Sequence, residues 1–271
     1  MSGSGSLSVE TLAAKLREEP ALEERRTKIV DLVDAEGQIT FAQLKTAFPN
    51  VSEMTLRTDL KHLHEAGRIV RVHGGARSVE IAAGSEDYFS KRAQRNRAQK
   101  QVIAEKAAAL LQAHHAVFLD SGSTATQLAR YIPDEPREIF TSGLSCAAEL
   151  SNLSQPTIHM LGGTLNRYSL SVQGSRSTAE ALGRRYNICF LGVTGFNPSD
   201  GFCCENEEDC LLKQAVIRQS DTVVVLMDSR KYGQYNTYSI CQCDAVHYVV
   251  SDSQLAPEYR AYLESHGITV L

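Results

Sequence analysis

The stretch "VSEMTLRTDLKHLHEAGRIVRVHGGA", residues 51–76, combines two hydrophobic periods that are separated by one glycine. Its first part carries three leucines at helical spacing and predicts a helix that begins after the N-cap Ser52 and ends at Gly67. Its second part alternates apolar and polar residues around Gly74-Gly75, which indicates a small β-hairpin. The leucines of the helix are Leu56, Leu60 and Leu63.

Two further helices are predicted upstream of this stretch. The segment "EERRTKIVDLVDAEG", residues 23–37, places its apolar residues on one face and ends at a glycine. The segment "TFAQLKTAF", residues 40–48, begins at the capping residue Thr40 and is closed by Pro49. Three helices followed by a hairpin predict a winged helix-turn-helix domain of the α+β class, which we assign to residues 23–79.

Three further segments complete the predicted organisation. Residues 1–22 form an N-terminal extension, in which residues 7–19 are expected to be a short helix that Pro20 ends. Residues 80–98 are polar and lack a period, which indicates a linker that runs into a helix. From 99 to 271 apolar strands alternate with helices, which predicts a larger α/β domain with a mostly parallel sheet covered on both faces. The predicted strands are 116–120, 138–141, 157–161, 188–193, 222–228 and 246–251, and the predicted helices are about 100–112, 123–131, 144–152, 175–185 and 207–219.

The composition of the 271 residues, 42% hydrophobic and 22% charged, is that of a globular protein with room for more than one domain. No apolar run approaches the roughly 20 residues that span a bilayer, and the N-terminus lacks a hydrophobic signal core. We therefore expect a cytoplasmic protein with no membrane partner. The net charge of −4 conceals basic stretches, with five basic and two acidic residues from Arg57 to Arg77 and five basic residues from Lys91 to Lys100.

The predicted helix after Ser52 presents a polar face opposite its leucines, as a helix in the DNA major groove requires. Short hydroxyls and long cations on that face suit contacts to bases and phosphates. The two glycines let the tip of the hairpin approach a backbone without obstruction by a Cβ. The alternative is a protein-interaction module whose charged face is solvated. The residues expected to contact DNA are Ser52, Met54, Thr55, Arg57, Thr58 and Lys61 in the helix, and Arg68, Arg71, His73 and Gly74 in the hairpin.

This stretch closely resembles the helix-turn-helix signature of the DeoR family of bacterial transcription regulators. That signature has a serine at the start of the recognition helix, then a threonine, an aliphatic residue, two arginines and Asp-Leu, and it ends in Arg-Val-His-Gly-Gly-Ala. The resemblance implies double-stranded operator DNA as a partner. Thr58 replaces the second arginine, so we expect a shorter contact there, such as one with a thymine methyl. The matching residues are Ser52, Thr55, Leu56, Arg57, Asp59, Leu60, Gly67, Arg71, Val72, His73, Gly74, Gly75 and Ala76.

A second stretch, "VFLDSGSTATQLA" over residues 117–129, reads as a strand followed by a hydroxyl-rich turn and a helix. Backbone amides and hydroxyls at such a turn can hold a phosphate, although the same residues serve equally as an ordinary helix cap with no ligand. No Gly-Lys-Ser/Thr follows, so a nucleoside triphosphate is not implied. Other strand ends also carry small or polar residues, and ligands of open parallel sheets bind where those ends converge.

The second half of the chain also resembles the DeoR family, through "FLDSGST", "MLGGTLN", "GVTGF", "NEEDCLLKQAVI" and "DSRKYG". The effector domain of that family is similar in fold to ribose-5-phosphate isomerase and senses phosphorylated sugars or sugar-derived metabolites. The resemblance implies that Asp120, Ser121, Gly122, Ser123 and Thr124 cradle the phosphate or sugar. The remaining residues implied to line the site are Gly162, Gly163, Thr194, Gly195, Glu208, Lys213, Asp228 and Lys231, together with Ser142, which stands where the family usually has asparagine.

The seven cysteines all lie in the second half, and their spacing does not match the two-residue gap of zinc knuckles. We therefore predict reduced thiols, no metal and no cofactor. Cys203 or Cys204 would be redox-active if either lay near the ligand, but a buried inert thiol is the expectation.

Three classes of function remain compatible with these patterns. The chain could be a ligand-responsive DNA-binding regulator, a sugar-phosphate isomerase or deaminase with an appended domain, or an architectural DNA-binding protein with a vestigial ligand fold. Glu207, Glu208 and Asp228 could supply the base that an isomerase needs. The winged helix favours the regulator, since an isomerase has no use for it. We expect a repressor of a carbohydrate-utilisation operon rather than an enzyme, assembled as a homodimer or homotetramer.

Overall fold

The computed structural model describes residues 9–79, 89–113 and 115–271. The chain divides into two compact units, Met1–Ser85 and Glu86–Leu271. Residues 80–88 of the predicted linker lie outside the described residues, and helices occupy most of its remainder up to residue 98. Among the described residues no helix is both long and apolar enough to cross a membrane.

The first unit has the winged helix-turn-helix architecture that its sequence predicts. The second and third helices are short, and the strands pair antiparallel in the order β1-β3-β2. The first strand, which the sequence did not reveal, converts the predicted hairpin into a three-stranded sheet. The elements are α1 (Val9–Glu36), β1 (Gln38–Thr40), α2 (Phe41–Ala47), α3 (Glu53–Glu65), β2 (Val70–Val72) and β3 (Gly75–Arg77).

Both predicted helix caps in this unit are present. The Thr40 hydroxyl accepts a hydrogen bond from the backbone N of Gln43, whose side chain accepts one from the Thr40 backbone in return. The Ser52 hydroxyl accepts a hydrogen bond from the Thr55 backbone at 3.1 Å and so begins α3. The leucines of α3 then face the core of the unit, which is formed by Ile29, Val30, Val33, Ile39, Leu44, Leu56, Leu60, Leu63, Ile69 and Ala76.

The expectation that Pro20 ends a short helix was wrong. Helix α1 runs without interruption from Val9 to Glu36, so the boundary predicted between residues 22 and 23 falls inside it. Proline removes one backbone donor, but the residues that follow it are strong helix formers and the face beyond them is buried in the core. The helix ends at Gly37, as predicted.

The second unit is built on a seven-stranded sheet in which every adjacent pair is parallel. Helices cover it and the six predicted strands are all present. Its strands are β4 (Ala116–Leu119), β5 (Glu138–Thr141), β6 (Thr157–Met160), β9 (Tyr186–Gly192), β12 (Ser220–Leu226), β14 (Tyr248–Val250) and β15 (Thr269–Val270). The helices are α4 (Phe89–Gln94), α5 (Arg97–Ala108), α6 (Ser123–Ala129), α7 (Leu144–Leu150), α8 (Ser175–Leu182), α9 (Glu207–Arg218) and α10 (Pro257–Ser265).

Successive residues of the central strands enter two separate cores. Phe118 and Leu191 pack in one apolar cluster, whereas Val117 and Phe190 pack in the other. This alternation explains why the strands are apolar throughout instead of amphipathic. The sequence did not reveal α10, β15 or five short antiparallel strands, namely β7 (Thr164–Asn166), β8 (Ser171–Gln173), β10 (Gly195–Asn197), β11 (Gly201–Cys204) and β13 (Tyr238–Cys241).

The strand order of the large sheet is β15-β14-β12-β9-β4-β5-β6. From β4 the chain continues to β5 on one side, and it later returns to place β9 on the other side of β4. The connections therefore diverge between β4 and β9, and a crevice opens outside the carboxyl ends of such a strand pair. Asp120 follows β4 directly, and Val193 follows β9.

Candidate ligand-binding site and nucleic-acid interface

Asp120 connects the two strands at which the connections diverge. Its Oδ2 accepts a hydrogen bond from the Gly192 backbone N at 2.8 Å and lies 3.3 Å from Nζ of Lys213. Its Oδ1 has no hydrogen-bond partner among the described residues, although Asp120 is completely buried. Burial raises the pKa of Asp120 to about 6, against the opposing effects of the Lys213 ammonium and the Gly192 amide.

Lys213 joins Asp120 to a second carboxylate. Its ammonium donates to Asp209, one turn earlier on α9, while also contacting Asp120. Burial disfavours the ammonium, but the two carboxylates more than offset this effect, so the pKa of Lys213 lies above its usual value. Asp209 lies four residues before Lys213 on the same helix, whereas the contact with Asp120 across 93 positions could only be seen in the structure.

The turn after Asp120 has the shape that the sequence predicts. Gly122 caps α6 with φ +97° and ψ 169°, a conformation that is open almost only to glycine. The Gly122 carbonyl accepts hydrogen bonds from the backbone N and the hydroxyl of Thr126, both at 2.9 Å. Within the described part of the chain, the hydroxyls of Ser121, Ser123 and Thr124 form no hydrogen bond and thus remain available to a ligand.

The carboxyl end of β12 adds a second charged group to the crevice. The Lys231 ammonium donates to the carbonyl of Val193 at 2.6 Å, immediately after the strand that carries Gly192. Asp228, buried, accepts hydrogen bonds from the Arg230 backbone N and from the side chain of Asn96, both at 3.3 Å. Burial lowers the pKa of Lys231, and Asp228 partly opposes that effect.

Two further residues that the sequence assigned to the site, Thr194 and Ser142, lie at the ends of β9 and β5. The Thr194 hydroxyl donates to the Cys203 carbonyl at 3.2 Å and accepts from the Asn236 side chain at 2.8 Å. Ser142 is completely buried and its hydroxyl has no partner among the described groups. Thr194 lies two residues beyond Gly192, and Ser142 directly follows β5, the neighbour of β4.

Three of the predicted positions do not contact the group around Asp120. Gly162 follows the edge strand β6; its amide donates to Glu180 at 3.0 Å and its carbonyl accepts from Ser177 at 2.7 Å. Gly163 packs against the same Ser177 hydroxyl, so both glycines serve the contact with α8. Glu208 is exposed on the first turn of α9, and its neighbour Asp209 turns toward Lys213 instead.

The sequence did not single out Asp209 or Asn236, which contact the assigned residues Lys213 and Thr194. Asp209 carried the only available signal, its spacing of four residues from Lys213. Gly195, which was included, lies on β10, where a Cβ would come within 2.6 Å of the Gln234 carbonyl. A close approach of two chain segments therefore accounts for this glycine.

Six of the seven cysteines are buried, and Cys241 is partly exposed. Cys203 is completely buried, and burial raises the pKa of its thiol to about 11. None of the seven cysteines forms a disulfide. Among the described residues no group of three or more histidine, cysteine, aspartate or glutamate side chains is placed to hold a metal ion.

The outer face of α3 carries the side chains that the sequence assigned to DNA. Met54 is 75% exposed, and the Thr58 hydroxyl donates to the Met54 carbonyl at 2.9 Å. Lys61 is exposed and lies 3.8 Å from Glu65, whereas the Arg57 guanidinium lies 4.3 Å from the centre of the Phe41 ring. Arg68, Arg71, His73 and Gly74 are all exposed on the wing.

The opposite face of α3 is fixed by a buried ion pair as well as by leucines. Asp59 is 1% exposed and accepts hydrogen bonds from Nε of Arg25 at 2.7 Å and from Nε of Arg26 at 3.1 Å. On the wing, a Cβ at Gly75 would come within 2.0 Å of the Ile39 carbonyl, so only glycine permits β3 to pair with β1 there. These contacts fix α3 to α1 and the wing to β1.

Comparison with known proteins identifies the family of both units. The DeoR-like helix-turn-helix domain matches residues 25–82, and the DeoR C terminal sensor domain matches residues 95–253. The chain is 30% identical over 251 residues to the HTH-type transcriptional regulator GolR of Listeria innocua serovar 6a, covering 91% of this chain and 97% of GolR. It is 30% identical over 235 residues to the transcriptional repressor AccR of Agrobacterium fabrum, covering 85% of this chain and 90% of AccR.

Among solved structures, ribose 5-phosphate isomerase A from Methanocaldococcus jannaschii aligns with 51% of this chain and 55% of its own, at 16% identity and a TM-score of 0.38. A score of that size supports no conclusion about activity. The two domain matches together extend over most of the described residues, and each falls within the unit whose architecture it implies. The chain belongs to the DeoR family of transcription regulators.

Proposed function

We propose that this protein represses a carbohydrate-utilisation operon and that a phosphorylated sugar or related metabolite controls its affinity for double-stranded operator DNA. The observation that carries the proposal is the crevice beside Asp120, where three unbonded hydroxyls follow β4 and the Lys231 ammonium reaches the carboxyl end of β9. Hydroxyls, backbone amides and ammonium groups are the donors that a phosphorylated sugar requires.

The first unit supplies the means of reading DNA. The exposed face of α3 offers a methyl-bearing threonine, a methionine and a lysine, and the wing offers arginines that suit phosphate contacts. Repression is proposed because AccR, a relative over most of the chain, is named a transcriptional repressor. We propose a homodimer or homotetramer, since paired half-sites require a symmetric protein.

The carboxylates that the enzyme alternative would use are hydrogen-bonded or exposed. Asp228 accepts two hydrogen bonds. Glu207 and Glu208 are exposed on the first turn of α9, where carboxylates stabilise the helix through its dipole. A general base must reach a substrate proton, and these carboxylates are either occupied or directed to solvent. The arrangement therefore favours recognition over turnover.

The test is a band-shift titration of the full chain on its own upstream DNA, with and without a panel of sugar phosphates. At least one compound is expected to weaken DNA binding by 10-fold or more, a coupling within the usual range for allosteric proteins. Ser123→Leu is expected to abolish this response while DNA binding persists, because Ser123 lies in the second unit and begins the helix at the hydroxyl-rich turn.

Ser151→Leu, at an exposed helix end, is the matched control and should respond like the wild type. If no sugar phosphate alters DNA affinity, the sensor function is refuted. Turnover of a sugar phosphate at ordinary enzymatic rates would instead support the isomerase or deaminase alternative.

A further inference from the structure

The first helix of the second unit carries a guanidinium that lacks partners. Arg92 lies on α4, and its Nε and Nη2 are shielded from solvent without a hydrogen-bond partner among the described residues. Buried N–H groups are almost always paired in native proteins, because leaving one unpaired costs free energy. Two such groups on one side chain therefore indicate a missing acceptor.

The charges around Arg92 also indicate that an anion is missing. Arg92 lies close enough to Lys100 and Lys231 to repel both ammonium groups. Asp228 offsets part of this repulsion at each lysine, and Glu205 contributes at Lys231. Lys100 donates to the carbonyls of Arg92 and Arg95, which gives it acceptors but no countercharge. When Lys100 is charged, which its pKa of about 7 allows near and below neutral pH, three cations face the two carboxylates in a largely buried setting.

This cluster borders the crevice at Asp120. Helix α4 packs against α6, the helix that begins at the hydroxyl-rich turn. Lys231 reaches the carbonyl of Val193, the residue after Gly192, whose amide binds Asp120. Arg92, Lys231 and the turn therefore surround the same carboxyl ends of β4, β9 and β12.

We propose that Arg92 binds the phosphate group of the effector together with Lys231, an inference that rests on the proposed sensor function. A guanidinium presents paired N–H donors in a planar fork that matches two oxygens of a phosphate, and a dianion would neutralise the surplus charge of the cluster. The amides and hydroxyls from Ser121 to Thr124 complete the set of donors.

The position of Arg92 in the chain gives this contact a regulatory consequence. The first unit ends at Ser85, so Arg92 lies seven residues into the second unit, on the first helix described there. A ligand held by Arg92 fixes α4 to the sheet. The residue that binds the phosphate is thus carried by the segment that leads from the DNA-binding unit.

The test compares the full-length wild type with Arg92→Gln, Arg92→Lys and the control Arg97→Gln, which removes an exposed arginine of the same segment. Binding is measured calorimetrically with inorganic phosphate, with aldose 6-phosphates and ketose 1-phosphates, and with the corresponding free sugars. We expect Arg92→Gln to weaken binding of the phosphorylated compounds by 10-fold or more, Arg92→Lys to restore part of the affinity, and Arg97→Gln to bind as the wild type does. Without ligand, Arg92→Gln should melt at or above the wild-type temperature, because an unpaired buried charge has been removed.

Wild-type affinity of Arg92→Gln for a phosphorylated compound that releases the wild type from DNA would overturn the assignment of Arg92 and leave the sensor function intact. A lower melting temperature for the ligand-free Arg92→Gln variant, without rescue by lysine, would show a structural role and also overturn the assignment. If the wild type neither binds any of these phosphates nor responds to them on DNA, the sensor function and the assignment fail together.

Discussion

The Asp120 carboxylate lies 3.3 Å from the Lys213 ammonium, at the point where the connections of the large sheet diverge. Both residues are buried, and Asp209 supplies Lys213 with a second carboxylate. The three charges attract one another only in this geometry. Removing each of them from water still costs free energy. That cost falls mainly on Asp120, whose second oxygen is unpaired.

Asn in place of Asp120 should therefore change how stability depends on pH. Burial raises the pKa of Asp120 from 3.8 to about 6, so the folded protein retains a proton that the unfolded chain loses between those values. Stability from this group falls as pH rises through that window, by about 1.4 kcal/mol per pH unit. The free energy of unfolding of the wild type minus that of Asp120→Asn is expected to decrease by roughly 2–3 kcal/mol between pH 4 and pH 7.

Urea unfolding of both proteins at intervals of half a pH unit measures this difference. Groups that titrate alike in the two proteins cancel, and Lys213 stays protonated throughout because its pKa lies above 10.5. A difference that is constant or that grows with pH would contradict the prediction.

A second prediction concerns the ion pair that supports α3. Asp59→Ala removes a carboxylate that is 1% exposed and leaves Arg25 and Arg26 without it. Breaking a buried pair costs about 3–5 kcal/mol, and partial exposure of both arginines places this case near the lower limit, at about 3 kcal/mol. The free energy of unfolding of the first unit should fall accordingly, and DNA affinity with it.

Glu65→Ala is the matched control on the same helix. Both side chains are exposed, and Nζ of Lys61 lies 3.8 Å from Oε1 of Glu65. Removing the Glu65 carboxylate should therefore cost less than about 0.5 kcal/mol. Equal losses for the two variants, measured by denaturant unfolding of the full chain, would show that Asp59 does not hold the helix.

Gly122→Ala tests whether the turn depends on its backbone conformation. A Cβ at Gly122 would meet no atom within 4 Å, so any loss of stability reports the strain of φ +97° alone. We expect a loss of about 1–3 kcal/mol. Gly183→Ala is the control, since Gly183 has φ −80° and only ordinary contacts, and that variant should be neutral or more stable by up to about 1 kcal/mol. A neutral Gly122→Ala variant would show that the turn relaxes freely.

Features that depend on adjacent residues were predictable from the sequence. The caps Thr40 and Ser52 bind backbone groups three residues away, so their residue types and spacing are sufficient to identify them. The long apolar strands were recognisable for the same reason, because burial on both faces leaves an uninterrupted run of apolar residues. The antiparallel strands β10, β11 and β13 have only three or four residues each, too few to establish a period.

The candidate ligand site was predictable only in part. The turn at Gly122 is local, whereas the pairing of Asp120 with Lys213 depends on the order of strands in the sheet. Arg92 lay in a basic segment that read as a linker, and nothing in its neighbours indicated burial near Lys231. At helix α1 a prediction from one residue failed. Proline usually ends a helix, but the helix-forming residues around Pro20 continue α1 through it.

The last prediction follows from the charge of Lys100. Burial and then repulsion by Lys231 lower the pKa of Lys100 to about 7, against the attraction of Asp228. Near pH 8 the folded, ligand-free protein therefore holds much of Lys100 uncharged. A phosphate dianion bound at Arg92 and Lys231 would favour the charged form, so binding should take up a fraction of a proton between about pH 7 and pH 9.

Calorimetric titration with an effector phosphate at pH 8, in buffers of different ionisation enthalpy, measures this uptake. The phosphate contributes little itself, because its second pKa is about 6. Lys100→Arg is the matched variant, since arginine stays charged at this pH and binding to this variant should take up fewer protons than binding to the wild type. Release of protons by the wild type, or equal uptake by both proteins, would show that the bound phosphate does not charge Lys100.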